Sequence, residues 1–218
     1  MASSSPVIMV IVSEAERPGG GERRPRSDGV ANRERLLSAA AVAVRRDGYK
    51  IPLATIAADA GVGVGTLYRH YASREALLAA LICRSFQWVL DAARAAADSE
   101  STAIESLKRF LDQTIEHGAE LVLPMHGGPS PLDEDALVLR SKVHSTVEAI
   151  VRRGRTDGTV RADITALDVI LFGALIVQPL PTSLNWERIA QRQAAIFLDG
   201  LAVRTATTLP RVSRDPNA

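Results

Sequence analysis

Apolar residues recur at helical spacing along most of this chain, and the runs break at Gly, Pro and capping residues. Leu36, Leu37, Ala40, Ala41 and Val44 mark a first amphipathic helix, beginning near Asn32 and ending at Asp47-Gly48, where glycine takes the left-handed C-terminal position. After a linker containing Pro52, Leu53, Ile56, Ala57 and Ala60 form one face of a helix of barely two turns that ends at Gly61. A tight connection from Val62 to Gly65 leads into a second short helix, about Val64 to His70. Ser73 then caps a longer helix carrying Leu77, Leu78, Leu81, Ile82, Val89 and Leu90, with Glu75 in its first turn complementing the dipole.

Helical spacing continues beyond Asp98. Thr102 and Glu105 form a capping-box pattern ahead of Ile104, Leu107, Phe110, Leu111 and Ile115. "LPMHGGPSPL" is too rich in Pro and Gly for anything but a loop, and Leu137, Val143, Val147, Ile150 and Val151 mark the next helix, with the acidic Asp133 to Asp135 at its N-terminus. Asp163 or Thr165 caps "ALDVILFGALIVQ", which Pro179 and Pro181 stop. Because it is apolar on almost every side, this helix belongs at the centre of a domain or against another subunit. With the amphipathic last helix, which carries Trp186, Ile189, Ile196, Phe197 and Leu201, it would make half of an intermolecular four-helix bundle; the alternative is a core helix within one chain. The expected fold is all-α.

Composition supports this. Of 218 residues, 46% are hydrophobic, 23% charged and only 4% aromatic, which fits a helix-rich chain of two domains. Cys83 is the sole cysteine, so an intramolecular disulfide and a cysteine-based metal cluster are excluded within one chain, and a cytoplasmic location is the default. The apolar "PVIMVIV" near the N-terminus is far shorter than the about 20 residues that span a bilayer. It reads as part of a disordered leader, or else as a strand-like docking segment. Residues 1–29 as a whole read as a disordered basic arm, and those after about Thr205 as an unstructured tail. Net charge is only +1, but Arg23 to Arg74 holds ten Lys or Arg against four Asp or Glu, leaving 16 against 21 elsewhere. A basic first third on an acidic remainder is the asymmetry of a chain whose one part meets a polyanion.

The two short helices around Gly61 fit a helix-turn-helix, whose second helix enters the major groove of DNA. Gly61 is free to take positive φ, and Gly63 and Gly65 leave bare backbone where a phosphate or base edge would approach. Thr66, Tyr68, Arg69, His70 and Tyr71 then place hydroxyl, guanidinium and imidazole donors in one small area, the groups that phosphates and base edges need.

"LATIAADAGVGVGTLYRHYASREALL" resembles the signature of the TetR family of bacterial transcriptional repressors, which typically reads T-x-x-x-I-A and then A-G-V-S-x-G-T-x-Y-x-H-F-x-S-K-E-x-L. Thr55, Ile56, Ala57, Ala60, Gly61, Val62, Gly65, Thr66, Leu67, Tyr68, His70, Tyr71, Ser73, Glu75 and Leu77 carry the match, which extends over roughly Arg33 to Leu90. Gly63 stands where the family usually has a capping Ser, Tyr71 replaces the common Phe, and Arg74 the common Lys. The resemblance implies that Thr55, Tyr68, His70 and Arg74 contact phosphates, that Val64, Gly65 and Thr66 lie against the bases, and that Leu67 and Ile56 pack the core. Arg69 would read a base or a phosphate, or else be a solvated charge. Arg24 and Arg26 would reach the minor groove, or else make no fixed contact.

The implied organisation is an arm at 1–29, a helix-turn-helix domain at 30–91, an effector-binding and dimerising domain at 92–205, and a tail at 206–218. A homodimer would hold two recognition helices on a palindromic double-stranded operator, as a repressor that a small molecule releases. Trp88, Phe110, His117, Met125, His126, His144, Phe172 and Gln178 are candidates to line the effector pocket, which would suit an organic molecule of modest polarity. No cofactor, metal or membrane partner is expected. The histidines lack metal-type spacing, and "MHGGP" resembles a hydrolase oxyanion loop but no G-x-S-x-G elbow accompanies it, so the chain is not expected to be an enzyme. Cys83 reads as a buried filler rather than a redox sensor. The rival reading is a helical dimeric ligand-binding protein with no affinity for DNA.

Overall fold

The computed structural model describes residues 25–98, 101–123, 133–178, 185–203 and 209. Among them the helices are α1 (Pro25–Asp47), α2 (Leu53–Asp59), α3 (Val64–His70), α4 (Arg74–Ala97), α5 (Ala103–Glu116), α6 (Glu134–Thr156), α7 (Ala166–Ile176) and α8 (Trp186–Leu201). The only β pairing among the described residues is an isolated bridge between Val160 and Ala202.

Local chemistry accounts for the helix boundaries. Ser73 Oγ accepts from the Ala76 amide at the start of α4, and Asp133 accepts from the Ala136 amide at the start of α6. Thr102 with Glu105, and Thr165 with Asp168, close reciprocal capping boxes on α5 and α7. Thr165 is thus the α7 cap, while Asp163 pairs with Arg161 at 2.7 Å. One boundary departs from the pattern. The first helix starts at Pro25, not near Asn32; proline suits a first helical turn. Residues 25–29 are therefore helix rather than arm, and Arg26 lies within α1; Arg24 is outside the described residues.

Apolar burial makes two cores. Leu36, Ala40, Ile51, Ile56, Leu67, Leu77 and Leu81 close the first around α1 to α3. The second lies among α4 to α8, with Phe110, Leu111, Val147, Ile150 and Leu198 inside it. α4 runs unbroken across residues 91 and 92 and serves both cores, Leu77 to Leu81 in the first and Ile82 to Ala96 in the second. By length and composition it is apolar enough to cross a membrane, and half of its most apolar stretch is buried inside the protein.

Polar ties join the two cores. Arg84 of α4 is buried and donates to Glu34 Oε1 at 2.6 Å, Ser38 Oγ at 3.1 Å and the Leu37 carbonyl at 3.2 Å, all on α1, while its guanidinium lies 4.9 Å from the Trp88 ring. Arg45 at the other end of α1 donates to the carbonyls of Leu121 at 3.1 Å and Val177 at 3.3 Å. Ser85 Oγ accepts from the Val122 amide at 2.9 Å. Any shift of α4, or of the segment after α5, is therefore felt by α1.

α7 is not apolar all round in its packing. Ala166, Val169, Gly173 and Ile176 are buried, whereas Leu167, Leu171 and Leu175, at successive i+4 positions, are 47%, 52% and 61% exposed. Ile189 and Ile196 are exposed on α8.

Candidate nucleic-acid interface and effector cavity

α2 and α3 are held in a helix-turn-helix by what they bury. Ile56 and Ala57 of α2 and Leu67 of α3 point into the first core, and Gly61 turns the chain at φ 66°. The opposite side of α3 faces solvent: Gly63, Val64, Gly65, Tyr68 and Arg69 are exposed, and Thr55, Thr66 and His70 are half-buried. Tyr68 is 52% exposed. Arg69 lies back along its own helix, donating to the Gly65 carbonyl at 3.2 Å and the Thr66 hydroxyl at 3.4 Å.

Gly63 and Gly65 sharpen the picture. Neither has positive φ, and a Cβ on either would meet nothing within 4 Å. Gly63 is the N-cap of α3, a position that accepts glycine, whereas nothing in the fold requires glycine at Gly65.

Two residues of the expected contact set, Tyr71 and Arg74, are engaged within the chain. Tyr71 is buried, 4% exposed, because the backbone after α3 turns to an extended φ of −135° and carries the ring into the first core, with the Arg33 guanidinium 5.9 Å from its centroid. Burial raises its phenol above the ordinary range. Arg74 is half-buried and donates through Nη1 to the carbonyls of Tyr49 and Ile51, so it braces the approach to α2. The basic balance is likewise partly spent inside. Arg45 bridges to the second core, and Arg46, although exposed, is paired with the surface carboxylates of Asp47 and Asp59; Arg33, Arg35, Lys50 and Arg69 are exposed too.

The pocket candidates separate. Phe110 and His144 line one cavity of about 560 Å³ among α4, α5, α6 and α7, together with Phe86, Leu123, Arg140 and Ile170. Trp88 and His117, whose rings meet edge to face at 5.4 Å, line a smaller one of about 250 Å³. Phe172 instead stacks on Phe197 at 3.9 Å, joining α7 to α8, and Gln178 lines neither cavity. Met125 and His126 lie outside the described residues. Arg140 and Ser141, absent from the sequence-based set, follow from the helical spacing of Leu137, Arg140, Ser141 and His144 on one side of α6. Cys83 is half-buried with its thiol 3.6 Å from Asp133 Oδ1; burial first, and then that carboxylate, push its pKa up to about 11.

Residues 36–81 match the family model for bacterial regulatory proteins of the tetR family. The chain is similar to the TetR transcription regulatory protein of Mycobacterium vanbaalenii, at 26% identity and a TM-score of 0.58, over 82% of this chain and 99% of that one. It is also similar to a TetR transcriptional regulator of Streptomyces coelicolor, at 27% identity and a TM-score of 0.51, over 78% and 98%. AibR, solved in complex with isovaleryl coenzyme A and operator DNA, shares the fold at 16% identity and a TM-score of 0.60, over 76% and 97%. No curated protein sequence matches this chain significantly.

Proposed function

We propose, from the premise that this chain is a TetR-family regulator with a helix-turn-helix DNA-binding domain, that it acts as a homodimeric repressor. In this reading it occupies a palindromic operator and a small molecule releases it. The observation that carries the DNA-binding part is the solvent face of α3, where exposed Tyr68 and Arg69 flank bare backbone at Gly65. Val64, Gly65 and Thr66 lie against base edges, and Thr55, Tyr68 and His70 contact phosphates. Arg69 exchanges its intrahelical bonds for a base or phosphate.

The exposed leucine stripe of α7 and the isoleucines of α8 support a second copy as partner, because burying them removes apolar surface from water. Two copies would set their α3 helices about 34–36 Å apart, one helical turn of DNA. The cavity of about 560 Å³ is the effector site; its wall Phe86 lies on the same helix as Arg84, which grips α1. An occupant that favours one position of α4 thereby favours one spacing of the recognition helices. AibR, solved with both a small molecule and operator DNA, supports a ligand site and a DNA face on one such fold. Such a regulator works in the cytoplasm, beside the chromosome, without a membrane partner.

The experiment is selection of bound fragments from the source genome by the full chain, followed by footprinting. The expected footprint is a palindrome with half-site centres one helical turn, or a multiple, apart. Recovery of no specific fragment, with the protein folded and dimeric, would favour a ligand-binding protein without DNA affinity.

A further inference from the structure

The cavity among α4 to α7 has an uneven distribution of chemistry. Its floor is apolar, with Phe86, Phe110, Leu123 and Ile170, and its wall hydroxyl, Thr114, is already donating to the Phe110 carbonyl at 2.7 Å. Among the described residues, the remaining polarity is on α6, where Arg140, Ser141 and His144 stand together at the exposed mouth, and no Asp or Glu lines the cavity. Along α6 the neighbours of Arg140 one turn away are Ala136, Leu137, Val143 and His144, so no carboxylate on its own helix is placed to pair with it. Among the described residues, Arg140 makes no ion pair. Most other arginines of this domain are engaged: Arg153 donates to Ser101 and Ser106, Arg155 to Glu148, and Arg161 to Asp163.

From this juxtaposition we infer that the cavity takes an acidic amphiphile, an apolar chain or ring ending in a single carboxylate. The apolar body lies on the floor between α4 and α7. The carboxylate sits at the mouth, accepting from the Arg140 guanidinium and the Ser141 hydroxyl. The volume lies within the range of about 300–1,000 Å³ usual for small-molecule sites. A cationic head would meet Arg140 with nothing to neutralise either charge, and a neutral head would leave the guanidinium unused. The inference deepens the effector reading above and rests on it for its regulatory meaning; the binding itself is measured without DNA.

The test compares three ligands that share a ten-carbon chain: decanoate, decan-1-ol and decylamine. Each is titrated into the full chain by calorimetry below its micelle concentration. Decanoate is expected to bind about tenfold more tightly than decanol, the low end for a charge-assisted hydrogen bond at a partly solvated site, and decylamine most weakly. Arg140→Gln should close the gap between decanoate and decanol, and Arg140→Glu should reverse the order of decanoate and decylamine. Arg152→Gln, an exposed arginine of the same helix outside the cavity, should change nothing. Decanol binding as tightly as decanoate would overturn the inference, as would an Arg152→Gln effect equal to that of Arg140→Gln. Operator binding without a carboxylate preference would sink this inference alone. Carboxylate preference without any operator binding would sink the regulator reading and leave this one standing.

Discussion

Gly65→Ala separates what the fold needs from what the interface needs. Gly65 is the second residue of α3, its φ is not positive, and a Cβ there meets no atom within 4 Å. Within the chain the added methyl therefore costs nothing in sterics. It also restricts the unfolded backbone, and alanine is preferred to glycine in a helix by about 0.5–1 kcal/mol. Near a helix end the lower part of that range applies. For a chain of this size the melting temperature should rise by about 1–4 °C. On DNA the same methyl stands where backbone meets a base edge or phosphate, and losing one such contact costs about 1–3 kcal/mol, or roughly 5- to 150-fold in affinity. The assay pairs urea denaturation with fluorescence anisotropy on a selected genomic fragment. A variant that is more stable yet binds less tightly matches the reasoning. Unchanged affinity would mean that nothing approaches this backbone, and lowered stability would mean that the fold itself requires the glycine.

Three further outcomes follow from the packing. Arg84→Met should destabilise the chain by about 1–3 kcal/mol in urea titrations, since the buried Leu37 carbonyl and Ser38 hydroxyl lose their donor; a loss below about 0.5 kcal/mol would show that this tie contributes little. Leu175→Arg, on the exposed stripe but outside the cavity, should weaken the dimer at least about a hundredfold by analytical ultracentrifugation, because two copies each lose a buried leucine; an unchanged dimer would move the interface elsewhere. The Cys83 thiol, held neutral by a pKa of about 11, should react with iodoacetamide at pH 8 far more slowly than in the unfolded chain. Its rate should keep rising as pH increases towards that value; equal rates in the folded and unfolded chains at pH 8 would contradict the shift.

What was legible in the sequence was local. The capping box of Thr102 with Glu105, the turn at Gly61 and the buried face of Ile56, Ala57 and Leu67 all depend on residues within a turn or two of one another. Tyr71 was misplaced because a run of polar and aromatic residues after a turn reads as one surface, whereas the chain bends between His70 and Tyr71 and divides it. Nothing near Arg74 in sequence indicates that the carbonyls of Tyr49 and Ile51 await it. Counting charges had the same weakness. Arg45 entered the basic balance as one more cation, but its partner lies 76 residues away, and only the tertiary fold reveals it, like Arg84 with a partner 50 residues away, as a tie between the cores. The cavity was illegible for a related reason: its walls come from four helices, and α6 supplies its polar side through residues that look like an ordinary exposed face.

The central claim is that two copies of the α3 face engage the backbone and bases of one DNA duplex. The most direct measurement is the affinity of the full chain for a selected genomic fragment across a series of salt concentrations. With exposed cations from both copies neutralising at least four phosphates, log affinity should fall linearly against log salt with a slope of about −3.6 or steeper. A flat dependence, or binding of one chain per fragment, would contradict it.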